Sequence, residues 1–287
     1  MAFGLLIVGD EILSGKRADK HVPKVIELLA ARGLALSWVR YVGDDPQRIT
    51  ADLVDAFASG DIVFSCGGIG ATPDDHTRQC AAHALQVPLQ LHPVARDSIH
   101  ERLRDMAAEQ GVAFDPERAD NLQRLNMGMF PLGAEIIPNP YNKIAGFFVR
   151  RVASADPAVA TGVSTQTGAA LTSAVFFVPG FPVMAWPMIE WALDTHCTHL
   201  HRAHGQREQS VIVMGTMEAV LTPLMERIET EHPSIKVFSL PSVDHPLWGG
   251  HIELGVKGDG VHVGTAYQAL LRGLHEQGAT LGPELVR

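Results

Sequence analysis

Residues 61–78 read DIVFSCGGIGATPDDHTR, and this stretch decides the fold. An apolar strand, Ile62-Val63-Phe64, runs into a glycine turn, Gly67-Gly68-Ile69-Gly70. A polar segment with Thr72 follows, and the pair Asp74-Asp75 then opens a helix. Glycines at a strand-to-helix turn let backbone N–H groups come close to an anion. Carboxylates a few residues on repel phosphate. They fit if a divalent cation lies between them and the phosphate, or if they move protons. The stretch therefore predicts a site for a phosphorylated, nucleotide-like ligand with a metal. The alternative is a tight turn with a helix cap, a role that suits Asp74.

Strand and helix signals alternate outward from this point. Residues 3–9 read as a strand. Residues 20–32 carry Val22, Val25, Ile26, Leu28 and Leu29 at helical spacing, with Gly33 placed to end the helix. Residues 34–42 are a second strand. Asp45-Pro46 opens a helix to about Ala58, with Ile49, Leu53, Val54 and Phe57 inward. The alternation predicts an α/β fold: three layers around a mostly parallel sheet. Ligands in such sheets bind beyond the carboxyl ends of the strands, where the turns at 43–45 and 67–70 both fall. Asp10 and Glu11 also leave a strand there. Cys66, in an apolar run, reads as a buried inert thiol.

Residues 93–127 read as polar and helical, 134–152 as a strand pair, 153–172 as a loop, and 174–178 as a buried strand followed by a helix. The histidine-rich segment 195–209 reads as a polar linker, because its spacing offers no matched set of metal ligands. Beyond it, strands near 210–215, 235–240 and 250–257 and helices at 217–231 and 264–277 predict a small α+β domain in βαββα order. The expected division is 1–195 and 208–280.

A net charge of −9 argues against nucleic acid as a partner. No apolar run reaches the roughly 18 residues of a membrane span. The first strand lacks the basic region of a signal peptide. Three scattered cysteines do not make a disulfide framework, so a reducing cytoplasm is expected.

Five motifs in order resemble one family. Gly9-Asp10-Glu11-Ile12-Leu13-Ser14-Gly15 is similar to the opening of the molybdopterin-binding MoaB/MogA-like domain in its CinA (competence/damage-inducible protein A) branch. Val42-Gly43-Asp44-Asp45 resembles its second acidic turn, and Cys66 through Thr77 its signature loop. Pro138-Asn139-Pro140 and Pro179-Gly180-Phe181-Pro182 resemble two later loops. These motifs cover residues 1 to about 190. The tail resembles the small domain that follows in CinA-type proteins, and the deamidase domain of longer members is expected to be lacking.

The resemblance implies a pterin or nucleotide pocket at the carboxyl edge of the sheet. It also implies adenylylation of molybdopterin or cleavage of an ADP-ribose pyrophosphate with Mg²⁺ or another divalent cation. On that likeness Asp44 and Asp75 are the catalytic and metal-binding acids. Asp10, Glu11, Ser14, Gly15, Gly67, Gly68, Gly70, Thr72, Asn139, Lys143, Pro179 and Gly180 are implied ligand contacts. Homo-oligomers are also implied. Three positions depart from the pattern. Ile69 stands where the adenylylating branch has Thr, Lys143 adds a cation where the CinA branch has Thr, and His21 replaces a frequent Asn. Two classes of function remain open, a metal-dependent hydrolase or nucleotidyltransferase and a non-catalytic binding module.

Overall fold

A computed structural model describes residues 1–150, 171–201 and 206–286. The segment 153–170 of the expected loop lies outside the described residues. The chain divides into two compact units, one of Met1–Leu29 and Ala35–His201, the other of Ala30–Leu34 and Arg202–Arg287.

The first unit runs β1 (Phe3–Val8), α1 (Asp10–Leu13), α2 (His21–Ala30), β2 (Leu36–Val42), α3 (Pro46–Ser59), β3 (Ile62–Cys66) and α4 (Thr77–Leu85). It continues with β4 (Leu89–Leu91), α5 (Pro93–Glu109), α6 (Ala119–Leu125), β5 (Met129–Pro131), β6 (Glu135–Ile137), β7 (Gly146–Arg150), β8 (Ala174–Val178) and α7 (Pro182–His196). The main sheet has the order β2-β1-β3-β8-β7-β6. Strands β2, β1, β3 and β8 are parallel, and β7 runs antiparallel to both its neighbours. Every residue of β1, β3 and β8 is buried, as expected of parallel strands covered on both faces.

Adjacent phenylalanines supply both faces of this core. Phe148 stacks on Phe176, which meets Phe64, with ring centroids 4.9 and 5.4 Å apart. On the other face Phe130, Phe147 and Phe177 stack at 4.6 and 4.4 Å. Each such aromatic pair adds about 0.5–1.5 kcal/mol beyond area burial.

Local chemistry fixes the helix starts. Asp19 accepts from the N–H groups of His21 and Val22, which caps α2. Asp45 accepts from those of Gln47 and Arg48, which caps α3, and Pro46 takes the first helical position. One residue expected inward on α3 faces out instead: Val54 is about half exposed, while Ala56 packs inward. Asp74 caps nothing, because α4 begins at Thr77 after His76.

The second unit contains β9 (Gln206–Met214), α8 (Glu218–Glu231), β10 (Ile235–His245), β11 (Gly249–Asp259), α9 (Gly260–Glu276) and β12 (Thr280–Val286). Its antiparallel sheet has the order β10-β11-β9-β12. Val211, Val213, Leu254 and Val256 form its core with Leu221, Leu224 and Leu270 of the helices. β12 adds a final strand beside β9 to the sequence reading. Among the described residues no helix is long and apolar enough to cross a membrane.

Candidate ligand site at the carboxyl edge of the sheet

The signature turn is held by close backbone packing. Gly67 has φ +110°, and a Cβ there would lie 2.2 Å from the Val8 carbonyl oxygen. A Cβ on Gly68, at φ +68°, would lie 2.1 Å from Thr77 Oγ1. Thr77, wholly buried, donates its N–H to Gly68 O and its hydroxyl to Gly67 O. The Gly67 N–H donates to Val178 O at 3.0 Å, so that amide is committed to the sheet and not offered to an anion.

Two acidic turns meet at the ends of β1 and β2. The Asp10 N–H donates to Asp44 Oδ2 at 2.9 Å, and the Asp44 N–H donates to Asp10 Oδ1 at 3.2 Å. Gly43 leaves room for this exchange, since a Cβ there would lie 2.3 Å from Asp10 Oδ1. Burial raises the Asp44 carboxyl above its ordinary range. The bond from Asp10 opposes this, and the charges of Asp10, Glu11 and Asp74 add to the rise.

Asp75 has a separate set of partners. Its Oδ2 accepts from both the N–H and the hydroxyl of Thr72, and it lies 2.5 Å from where a Gly70 Cβ would be. Asp75 and Thr72 line a cavity of about 520 Å³ with His76, Arg78, Gln79 and Gln123. Asp44 and Asp75 share no hydrogen-bond partner, and among the described residues no group of three or more His, Cys, Asp or Glu is placed to hold a metal.

A second cavity, of about 320 Å³, opens at the carboxyl ends of β1 and β3. Ile7, Val8, Glu11, Arg17, Lys20, His21, Cys66, Gly180 and Pro182 are among its lining residues. His21 is 4% exposed, and its Nε2 lies 3.0 Å from Gly180 O. A carbonyl oxygen only accepts, so Nε2 carries the proton in that bond. This contact ties the start of α2 to the loop before α7. The same loop touches the signature turn, because a Cβ on Gly180 would lie 3.5 Å from Gly67 Cα. Arg17 and Lys20 are exposed, and among the described residues neither has an ion-pair partner. Burial pushes the Cys66 thiol far above its ordinary range, so it offers no thiolate.

Of the residues named from the sequence, Glu11 and Gly180 line this cavity. Asp10 and Asp44 form the acid pair, while Thr72 and Asp75 belong to the larger cavity. Ser14 ends α1, and Gly15, at φ +71°, has nothing near its missing Cβ. Pro179 and Gly180 lead into α7. Asn139 is buried, and its amide bonds Asn142, Ile144 and Tyr141, which holds its own loop. Lys143 has φ +65° and is drawn to Glu101 and Asp105 of α5 at 2.7 Å each. The expected cation for a phosphate is thus neutralised on a helix. Arg17 and Lys20, unmarked in the sequence, are the cations at the cavity. Their only signal was a basic pair between the first motif and an amphipathic helix. In the histidine-rich segment, His199 and His201 hydrogen-bond to the Leu171 and Leu193 carbonyls.

Residues 4–199 match the family model of the probable molybdopterin binding domain. A CinA-like protein of Anaeromyxobacter sp. (strain K) is 34% identical over 149 residues, which is 52% of this chain and 34% of that protein. A CinA-like protein of Citrifermentans bemidjiense is 30% identical over 226 residues, 79% of this chain and 47% of that protein. The aligned part of the chain thus spans a third to a half of these curated relatives. The crystal structure of the CinA protein of unknown function from Thermoplasma acidophilum is similar, with a TM-score of 0.52 and 21% identity. The match covers 68% of this chain and 98% of that one. At that identity the likeness speaks for the fold.

Proposed function

The chain belongs to the molybdopterin binding domain family, and from that premise we propose that its first unit binds a small phosphorylated pterin or nucleotide in the 320 Å³ cavity. One observation carries this reading: Arg17 and Lys20, two cations without ion-pair partners among the described residues, border a cavity at the carboxyl edge of a parallel sheet. The volume is at the lower end of the roughly 300–1,000 Å³ common for ligand pockets. Gly180 and Pro182 add the N-terminal end of the 15-residue helix α7, whose dipole favours an anion. Calorimetry with AMP, ADP-ribose and a phosphorylated pterin tests it. The account expects saturable binding that falls at least tenfold in the double variant Arg17→Glu/Lys20→Glu. Equal binding by that variant contradicts it.

The acid pair favours a second reading, hydrolysis of an ADP-ribose-like pyrophosphate. Asp10 and Asp44 offer hard oxygen donors, the type that magnesium takes. As a pair they would leave most of an ion's shell to water and ligand phosphate. Asp10 and Asp44 would hold it, and it would neutralise negative charge on the phosphates. A carboxylate oxygen of the pair would take the proton from an attacking water. The water oxygen bonds to phosphorus, the P–O–P bridge breaks, and AMP and ribose 5-phosphate leave. Asp75, engaged with Thr72, shapes the signature loop in this account. Release of AMP from ADP-ribose with Mg²⁺, followed by chromatography and lost in Asp44→Asn, is the expected result. Binding without AMP release contradicts hydrolysis and leaves a binding module.

A further inference from the structure

Phe181 is 54% exposed, although it sits between two residues that line the cavity, Gly180 and Pro182. Its backbone opens α7, where its carbonyl oxygen accepts from the N–H groups of Met184 and Ala185. That role makes no use of the side chain. The ring is not itself among the cavity's lining residues, but it stands in water beside them and offers an aromatic contact surface. The guanidinium of Arg17, itself a cavity residue, lies 5.7 Å from the ring centroid. An aromatic face and a cation without an ion-pair partner among the described residues therefore stand side by side where Arg17 borders the cavity.

We propose that Phe181 is a specificity-determining residue that stacks on a flat heteroaromatic ring, so that the cavity selects heterocycle-bearing phosphates over plain sugar phosphates. The inference rests on the reading of the cavity given above. It adds which half of the ligand meets which side chain. An exposed cation–π contact is weaker than a charge-assisted Arg–phosphate pair, so an arriving phosphate draws Arg17 off the ring. The uncovered face then takes the heterocycle, as aromatic platforms take bases. A ligand with both groups gains twice, and one with phosphate alone gains once.

Calorimetry on the full chain with AMP and ribose 5-phosphate as probes tests this. AMP is expected to bind about tenfold more tightly than ribose 5-phosphate, the gain of one stacked ring. Phe181→Ala and Phe181→Leu are expected to lower the preference for AMP over ribose 5-phosphate by about that factor, while Phe181→Tyr keeps the wild-type ratio. Circular dichroism checks that the variants fold, and Leu preserves apolar bulk without a ring. An unchanged AMP to ribose 5-phosphate ratio in Phe181→Ala and Phe181→Leu overturns this inference alone. Failure of the wild-type chain to bind either probe overturns the cavity reading and this inference together.

Discussion

Gly68 and Gly15 share a left-handed backbone but differ in surroundings. Alanine at Gly15 meets open space, so Gly15→Ala is expected to cost about 1 kcal/mol for its φ alone. Alanine at Gly68 adds a clash with the buried Thr77 hydroxyl, and about 3 kcal/mol or more is expected. Urea midpoints of the two variants check the difference. Asp44 gives a prediction with a sign. Its carboxyl is raised in the folded chain, so between the unfolded and folded values the native state holds the extra proton. Stability therefore falls as pH rises through that window, and the penalty persists at neutral pH. Asp44→Asn is expected to flatten this fall and to raise the melting point at pH 7. Thermal melts from pH 3 to 7 read both effects, and a lower melting point at pH 7 contradicts them.

At the scale of elements, the helix starts can be tested one at a time. Asp45 holds two N–H groups at the start of α3, so Asp45→Ala is expected to cost about 1 kcal/mol of unfolding free energy. Lys143 is paired on the surface with two acids of α5, so Lys143→Ala is expected to leave ligand affinity unchanged in calorimetry. A clear loss of affinity would return Lys143 to the site. These two residues also mark what the sequence disclosed. The Asp45-Pro46 cap is local chemistry and was readable, as were the apolar strands 62–66 and 174–178. The attachment of Lys143 to α5 joins residues about 40 apart, and no local pattern encodes it. Strands β4 and β5 are three residues long, too short for an alternating pattern, and Gly282 and Pro283 hide β12. Glu11 and Gly180 were legible through their motifs. Arg17 and Lys20 were not, because an exposed cation looks the same in sequence whether it borders a cavity or only water. His21 stood out as a departure, but its bond to Gly180 spans 159 residues and needed the fold.

Across the whole molecule, the two units have separate apolar cores. Leu270 is fully buried in the second, so Leu270→Ala is expected to cost about 2–5 kcal/mol there and to leave AMP affinity unchanged. Denaturant unfolding and calorimetry on one sample check both halves. In the first unit one cavity lies beside Arg17 and Lys20 and takes Cys66 into its lining, and another lies beside Asp75. The central claim is that the first of these takes the phosphorylated ligand. A crystal structure of the chain grown with AMP tests it most directly. The account predicts the phosphate against Arg17 and Lys20, near the start of α7. AMP seated instead beside Asp75 and Arg78, with the smaller cavity empty, would contradict it.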